Sequence, residues 1–523
     1  MSFVELLARL GGMGRFQVTY VAALAIPLLM LASHNLLQNF TAGVPEHHCR
    51  PRPVANASHA DVPLVVSLPW DGHRRPQRCR RYVEPQWHLL AANGSAGAVA
   101  NGTASEAATE PCRDGWMYLE GIFTDTIVTE WDLVCDSKKL RQVAQSIYMA
   151  GILLGSGLFG VLSDKFGRRA LLTWCYLQLG AAGVGTAAAP SLLIYCLCRF
   201  LTGLAMAGVS LNSASLCMEW IPTKARAVVG TINGYCYTLG QFVLAAAAFG
   251  LPRWRQLQLV VSLPFFVFFF YSWLYVESAR WQVTSGRADL ALRGLRKVAR
   301  VNGRKEEGDK LSEEALRALV RREPPLPGGA VAALVRSPGM RTVSCGVSFV
   351  WFSTSFAYYG LAMDLQGFGF NVYLSQVVFG AVDIPAKLLS VLVISCLGRR
   401  PAQAGALALA GLCILANIFV PSGGSGRGEG GMGMGRDTGG GMEENGVEED
   451  GMEENGTGMG LGGTMARVGG MVAPLVRMAA DVTPVLPLVI YGAAPIVSAI
   501  ATCFLPETRN APLPETVKDV ERR

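Results

Sequence analysis

Two basic residues lie within long apolar stretches of this 523-residue chain. Lys387 lies in the segment 371–394, and Arg467 lies near the start of the segment 464–482. An ionised group in such a segment is costly to desolvate, so it normally faces a cavity or a charged partner. A buried cation can in turn hold a carboxylate that has lost its hydration shell. Lys387 and Arg467 are therefore candidate ligands for a carboxylate.

Each cation also has a plainer explanation. Asp383 lies one helical turn before Lys387, so the two charges can neutralise each other. Arg467 can extend its charged end to a membrane interface. No metal-ligand cluster, nucleotide-binding loop or nucleophile–base pair stands out in the sequence. We therefore expect no enzymatic reaction and no cofactor.

The composition indicates an all-α polytopic membrane protein. Hydrophobic residues make up 51% of the chain and charged residues only 16%, whereas soluble domains average roughly 25% charged residues. The net charge of +7 does not indicate nucleic-acid binding, because the basic residues cluster at the ends of apolar segments. Segments of about 20 apolar residues span a bilayer. The predicted spans are 18–37, 143–163, 171–189, 192–217, 227–250, 256–276, 342–362, 371–394, 402–420, 464–482 and 485–505.

A long hydrophilic loop, 38–142, separates the first two spans. Several Asn-x-Ser/Thr sequons predict that it is extracellular and glycosylated. Its even number of cysteines fits two disulfides in one of three pairings or, alternatively, free thiols. The predicted glycan acceptors are Asn39, Asn56, Asn93 and Asn101, and the predicted disulfide cysteines are Cys49, Cys79, Cys112 and Cys135.

An outer position for this loop places the amino terminus inside, and most short basic loops then fall on the inner side. Arg253 and Arg255 are exceptions. A long basic stretch, 279–341, is predicted to be an inner linker with short amphipathic helices. It divides the chain into a six-helix bundle, 1–278, and a second bundle, 342–523.

A short motif recurs at equivalent places in the two halves. Gly167-Arg168-Arg169 follows the second span, and Gly398-Arg399-Arg400 follows the eighth. The glycine permits a tight turn, and the arginines hold the turn at the inner surface. A motif repeated in this way predicts a duplicated bundle.

Longer motifs resemble a known family. The segments Gly160–Arg169, Arg199–Gly203, Glu219–Arg226, Glu277–Trp281 and Pro506–Thr508 resemble the major facilitator superfamily and its sugar-transporter-like branch. The segments Ser33–Thr41, Thr129–Cys135 and Phe356–Gly369 resemble the organic anion transporters of solute carrier family 22. The resemblance covers residues 1–420 and 464–523. It implies a fold of two pseudo-symmetric helix bundles.

The resemblance also implies a function. Members of the family take up small organic anions, including amphipathic carboxylates, urate and drugs, across the plasma membrane by alternating access. Intracellular dicarboxylate such as 2-oxoglutarate is commonly the exchange ion, often at the basolateral face of epithelia. The implied partners are these solutes and the lipid bilayer. The oligomeric state stays open between a monomer and a homo-oligomer.

Site residues follow from the same resemblance. Asn35, Tyr235, Tyr358 and Tyr359 match pocket-lining positions, although a tyrosine in a helix otherwise indicates packing. Lys387 and Arg467 match basic positions of the family, and cation transporters carry an acidic residue where Arg467 stands. The residues expected to stabilise the conformational states or to belong to the repeated motifs are Asp164, Gly167, Arg168, Arg169, Arg199, Glu219, Arg226, Asp383, Arg399 and Arg400.

One segment departs from the family. Residues 421–463 are rich in Gly, Met and Glu and stand where the family has its tenth helix. The composition predicts disorder, and an extended backbone cannot cross lipid with its amides unpaired. Two topologies stay open, with the last two helices reversed or with the tract forced through the protein. We favour a third explanation, that a tenth-helix exon is missing and purine-rich repetitive sequence is translated in its place.

Three functions remain in competition. The first is the organic anion exchanger. The second is a non-transporting or misassembled membrane protein, favoured by the missing tenth helix. The third is an organic cation or carnitine carrier of the same family, which the basic residue Arg467 argues against.

Overall fold

The structure is a computed structural model of the chain. It describes residues 3–52, 63–70, 75–87, 89, 107–321, 338–363, 365–368, 371–419, 455–481 and 483–505. The predicted glycan acceptors Asn56, Asn93 and Asn101 lie outside the described residues, as do positions 421–454 of the predicted disordered tract.

The first half and its outer loop consist of α1 (Phe3–Arg9), α2 (Arg15–Leu36), α3 (Gln38–Thr41), β1 (His47–Cys49), α4 (Leu64–Ser67), β2 (Arg80–Tyr82), β3 (Thr109–Pro111), β4 (Trp116–Tyr118), α5 (Ile127–Trp131), α6 (Lys139–Phe166), α7 (Arg168–Ala187), α8 (Leu192–Trp220), α9 (Thr223–Gly250), α10 (Trp254–Ser262) and α11 (Pro264–Ser272).

The linker and second half consist of α12 (Ala279–Thr284), α13 (Ala288–Val301), α14 (Lys305–Asp309), α15 (Glu313–Arg321), α16 (Pro338–Ala362), α17 (Val372–Leu397), α18 (Arg399–Ala416), α19 (Asn455–Arg477) and α20 (Leu486–Cys503). Short 3₁₀ turns occur at Cys135–Ser137, Leu365–Phe368, Asn417–Phe419 and Met478–Asp481.

Every one of the eleven predicted spans contains a helix. The sixth is divided into α10 and α11 at Leu263, because Pro264 opens a new helix there. Within the described residues, seven helical regions are long and apolar enough by themselves to cross a membrane. The segment 464–482, which carries two arginines, is not among these seven.

The outer loop is held by disulfides and two short ribbons. Cys49 pairs with Cys112, and Cys79 pairs with Cys135, which selects one of the three pairings that the sequence left open. Strand β1 pairs antiparallel with β4, and β2 pairs antiparallel with β3. We call the end of the molecule that carries this loop the outer end.

Arg255 lies at the outer end, although most short basic loops are predicted to be on the inner side. Its contacts explain this exception. Its guanidinium forms an ion pair with Glu130 and donates to the carbonyl oxygens of Ala187 and Ala189. The Trp254 indole N–H donates to the same Glu130 carboxylate at 2.9 Å. The positive charge is therefore offset within the protein.

Glycines bring helices of each half into close contact. A Cβ on Gly203 in α8 would lie 2.3 Å from the carbonyl oxygen of Tyr148 in α6. In the second half, a Cβ on Gly469 in α19 would lie 2.4 Å from the carbonyl oxygen of Phe352 in α16. Such small residues let helix backbones approach in membrane proteins. Glycine therefore permits close helix packing within each half.

The repeated Gly-Arg-Arg motif forms the same turn twice. Gly167 has φ 94° and ψ 155°, and Gly398 has φ 99° and ψ 168°. Each glycine ends one long helix and begins the next. The repeat predicted from sequence is therefore confirmed at the level of backbone geometry.

The Gly167→Ala change is expected to lower the free energy of unfolding by about 1–3 kcal/mol, because residues with a side chain are strained at this positive φ. A Cβ there would also lie 2.6 Å from Glu277 Oε2. Thermal unfolding in detergent measures the effect. Gly157→Ala is the matched control, because no atom lies within 4 Å of its Cβ position. Equal melting temperatures for the two variants would contradict the prediction.

The linker also holds the amino terminus. The N–H of Phe16 donates to Asn302 Oδ1 at 2.9 Å, and Asn302 Nδ2 donates to the carbonyl oxygen of Leu10 at 3.1 Å and to Gln17 Oε1 at 2.9 Å. Phe3, Leu6 and Leu7 of helix α1 and the following Leu10 are buried in the same core as residues of α13. One asparagine therefore ties the first residues to the linker.

The disorder predicted for 421–463 is wrong at its carboxyl end. Residues 455–463 form the first turns of α19. The absence of a side chain at Gly462 lets α19 pack on Trp351, since a Cβ there would lie 3.0 Å from that indole. Packing against α16 thus overrides a composition that disfavours helix.

Helix α19 runs from the inner end to the outer end of the molecule. Asp481, just after α19, pairs with Lys138 at the outer end, so α19 begins at the inner end. Helix α18 begins at the inner turn of Gly398 and ends at the outer end. Phe419 and Asn455 therefore lie at opposite ends of the molecule.

The prediction that Asn39 carries a glycan is wrong for this conformation. Its side chain is buried, with 9% exposed, and Nδ2 donates to the carbonyl oxygen of Ala362 at 2.7 Å. This nitrogen is the atom that a glycan would occupy. The sequon pattern alone does not reveal that Asn39 is buried. The burial arises because α3 continues the first long helix into the interface between the halves.

Asn39→Gln is consequently expected to leave the glycan mass unchanged. The measurement is gel mobility before and after enzymatic deglycosylation of the full chain. Replacing the asparagines at 56, 93 and 101 together is the comparison, and it is expected to remove the mobility shift. A faster-migrating Asn39→Gln chain would show that residue 39 is modified.

Candidate functional site

A cavity of about 190 Å³ lies between the two halves. Its wall combines apolar, aromatic and amide side chains with three charged ones. The lining residues are Leu28, Leu31, Asn35, Met149, Ile152, Met206, Ala207, Ser210, Asn233, Tyr237, Gln241, Val350, Trp351, Thr354, Ser355, Tyr358, Tyr359, Asp383, Lys387, Gln403, Gly463, Ala466, Arg467 and Gly470. A concave, largely apolar site with a few polar groups is typical of small-molecule binding.

The Lys387 side chain lines this cavity and is already bound by neighbouring groups. Its Nζ lies 2.8 Å from Asp383 Oδ2 and donates to the carbonyl oxygen of Gly234 at 2.8 Å and to Thr238 Oγ1 at 3.0 Å. The Thr238 hydroxyl in turn donates to Asp383 Oδ2. The neutralising ion pair considered from the sequence is therefore formed, although both of its members line the cavity.

Arg467 lines the same cavity from α19. Gly463 and Gly470, each about one helical turn away, and the adjacent Ala466 line the cavity with it. The structure thus brings the two sequence-predicted cations to one site. Because glycines and an alanine surround it on α19, the guanidinium is the main polar group that this helix contributes.

Two of the three predicted tyrosines line the cavity. The rings of Tyr358 and Tyr359 lie 5.2 Å apart with an interplanar angle of 82°. Both belong to α16 and face the cavity. Edge-to-face rings provide apolar surface with polar tips.

Asn35 is held in the cavity wall by two tyrosines. The Tyr148 hydroxyl donates to Asn35 Oδ1 at 2.7 Å, and Asn35 Nδ2 donates to the Tyr237 hydroxyl at 3.3 Å. Both ends of the amide are therefore fixed. The predicted position of Asn35 agrees with this arrangement.

Tyr235 takes a different place from the one predicted. It does not line the cavity, and Lys387 Nζ lies 6.0 Å from its ring centroid. Tyr237 lines the cavity instead. The sequence carried a usable signal, since Asn233, Tyr237 and Gln241 recur one turn apart and form a polar stripe on one face of α9.

A second cluster lies at the inner end. Arg168 Nη2 binds Asp164 Oδ1 at 3.0 Å, and its Nε lies 3.6 Å from Glu219 Oε1. Arg226 donates to the carbonyl oxygen of Met218 at 3.2 Å. These predicted motif residues are close together and distant from the cavity lining.

Arg169, Arg399 and Arg400 occupy the turns themselves. Backbone N–H groups of Arg168 and Arg169 donate to the Glu277 carboxylate, which thereby satisfies the amino-terminal amides of α7. Arg399 and Arg400 begin α18 and are exposed. Glu277 therefore belongs to this turn, whereas the sequence indicated it only as part of the Glu277–Trp281 motif.

Arg199 does not join the inner cluster with which it was grouped. It is buried, with 1% exposed, and its guanidinium carbon lies 4.0 Å from the centroid of the Tyr148 ring. A cation over an aromatic face gains electrostatic stabilisation when it is desolvated. Arg199 therefore supports the tyrosine that holds Asn35.

The halves are joined at the outer end. Gln366 Nε2 donates to the carbonyl oxygen of Val44 at 2.6 Å, and the Val44 N–H donates to Gln366 Oε1 at 3.0 Å. Lys138 and Lys139 both pair with Asp481, at 2.5 and 3.4 Å. Together with the bond from Asn39 to Ala362, these contacts close the outer side of the interface.

Solved structures share this fold. A partially occluded inward-open structure of the xylose transporter XylE from E. coli superposes with a TM-score of 0.57, at 15% identity over 95% of this chain and 99% of that one. An inward-open structure of the same transporter also gives 0.57, at 17% identity over 74% and 89%. The two-bundle fold expected from the sequence is thereby confirmed.

Sequence comparisons give the family. The family described as "Sugar (and other) transporter" matches residues 97–433. Proteins named solute carrier family 22 member 6 match over 100% of this chain and 95% of their own length, at 49% identity in Oryctolagus cuniculus and 50% in Bos taurus. The protein from Rattus norvegicus is 48% identical over the same shares. The chain therefore belongs to solute carrier family 22, a family of membrane transporters, and has the major facilitator fold.

Proposed function

We propose that this protein carries organic anions through its central cavity by alternating access. Its substrates are small organic anions, including amphipathic carboxylates, urate and anionic drugs. Intracellular dicarboxylate such as 2-oxoglutarate is the exchange ion. The protein works as a multi-pass protein of the plasma membrane, at the basolateral face of epithelial cells.

One observation carries the proposal: Arg467 and Lys387 line a single cavity with Tyr358 and Tyr359. The Asp383–Lys387 pair is neutral, so Arg467 gives the ionisable part of the wall a net positive charge. A carboxylate entering this apolar space loses hydration and needs such a cation. The aromatic rings suit the apolar body of an amphipathic anion.

Uptake of labelled para-aminohippurate tests the proposal. Cells expressing the full chain are compared with untransfected cells, with and without preloaded 2-oxoglutarate. Inhibitor-sensitive uptake that preloading accelerates is the supporting result. Uptake of an organic cation or carnitine without uptake of any anion would overturn it.

A second candidate function is that of a non-transporting membrane protein. The observation that favours it is the connection from Phe419 at the outer end to Asn455 at the inner end. The sequence between them is too polar to span lipid as a helix. Uptake by this chain as written would exclude the second candidate. Uptake only after a tenth helix is supplied would support it for this chain.

A further inference from the structure

Lys387 holds the two halves of the protein together. Its ammonium group has three N–H donors, and it has three acceptors within 3.0 Å: Asp383, Thr238 and the carbonyl oxygen of Gly234. Gly234 and Thr238 belong to α9 in the first half, whereas Asp383 and Lys387 belong to α17 in the second. We call these four residues the Lys387 clamp.

A separate hydrogen bond joins the same two helices. Gln376 Nε2 on α17 donates to Gln241 Oε1 on α9 at 3.1 Å. Pro385 lies between Asp383 and Lys387 within α17. Proline removes one backbone hydrogen bond and is a common site of helix bending. The clamp therefore lies at a place where α17 can bend.

Only one side of the clamp faces the cavity. Asp383 and Lys387 line it, each with 15% of its side chain exposed, whereas Thr238 is fully buried behind them. An anion in the cavity can therefore reach Lys387. Because the three donors already have acceptors, such an anion has to displace one of them.

We propose that a transported anion binds by taking Lys387 from the clamp, and that this exchange loosens the contact between α9 and α17. The inference rests on the proposed function. Asp383 is then a positioning residue that competes with the substrate for the same ammonium group. Because Asp383 holds Lys387, an anion binds only if it reaches Lys387 in the desolvated cavity and displaces Asp383. Binding of the anion and loosening of the contact between α9 and α17 then occur together.

Asp383→Asn tests the competition in the full chain. The asparagine keeps the shape of the side chain and removes its charge. The concentration of para-aminohippurate that half-saturates thermal stabilisation of the purified protein is expected to fall about tenfold, since a hydrogen bond to a charged group contributes about 1.5–3 kcal/mol. Asp383→Glu, which retains the carboxylate, is expected to restore a value close to that of the original chain.

Gln376→Leu is the matched control. It breaks a hydrogen bond between the same two helices without touching Lys387, and it is expected to leave the half-saturating concentration unchanged. An unchanged or higher value in Asp383→Asn, or an equal fall in Gln376→Leu, would overturn the inference while leaving the proposed function intact. Absence of stabilisation in the original chain by any organic anion would overturn both.

Discussion

Replacement of residues 421–454 by an apolar helix is expected to raise inhibitor-sensitive uptake of para-aminohippurate at least about a hundredfold over that of the original chain. The structure gives the reason, because α18 ends at the outer end and α19 begins at the inner end. A polar segment on this route leaves backbone groups unpaired in hydrocarbon at several kcal/mol each. Even one such group reduces the correctly inserted population about a hundredfold.

The inserted helix needs about 20 apolar residues and an inner end that repeats the pattern of Glu219–Arg226. A Gly/Ser-rich segment of equal length is the control and is expected to give no increase over the original chain. Uptake by the control, or by the original chain, equal to that of the chain with the inserted helix would contradict the prediction. The native transcript between the codons for Val420 and Thr464 shows independently whether such a helix is encoded.

Arg467→Asp has the second largest expected effect. In the chain with the inserted helix, we expect anion uptake to fall at least about a hundredfold. At an effective dielectric constant of 20, two charges 4 Å apart interact by about 4 kcal/mol, and the substitution turns an attraction for the substrate into a repulsion. Arg467→Lys keeps the charge and is expected to retain part of the uptake. Uptake normalised to surface-biotinylated protein is the measurement.

A neutral variant separates charge from packing at this site. Arg467→Met keeps much of the side-chain length, and it is expected to fall between the lysine and aspartate variants. If the Arg467→Asp chain took up the anion as well as the chain that retains Arg467, this residue would not be a substrate ligand. It would then serve the packing of α19 on α16.

The arrangement of helices was largely predictable because apolar length and motif repetition are local signals. The Gly167 and Gly398 turns follow from glycine at two equivalent positions, and their matching dihedral angles confirm the duplication. The start of α19 was not predictable in this way. Its glycines indicate disorder in isolation, and only the neighbouring α16 makes the same residues favourable for close packing.

The site was predictable by residue type more than by orientation. Arg467, Lys387 and Tyr359 were placed in the cavity by charge and resemblance, and they line it. Tyr237 lines the cavity in place of Tyr235, because two positions along a helix turn a side chain by about 200°. The buried place of Arg199 over Tyr148 depends on how two helices face each other, which a single sequence does not specify.

The anchoring of the amino terminus by Asn302 has a consequence for biosynthesis. Helix α1 docks beside α13, so its partner surface does not exist until roughly 300 residues have been made. At about 5–20 residues per second, the first helix waits about 15–60 s on the ribosome side of the membrane before its partner emerges. During that interval its apolar face is open to lipid or chaperones, and completion of the linker ends the interval.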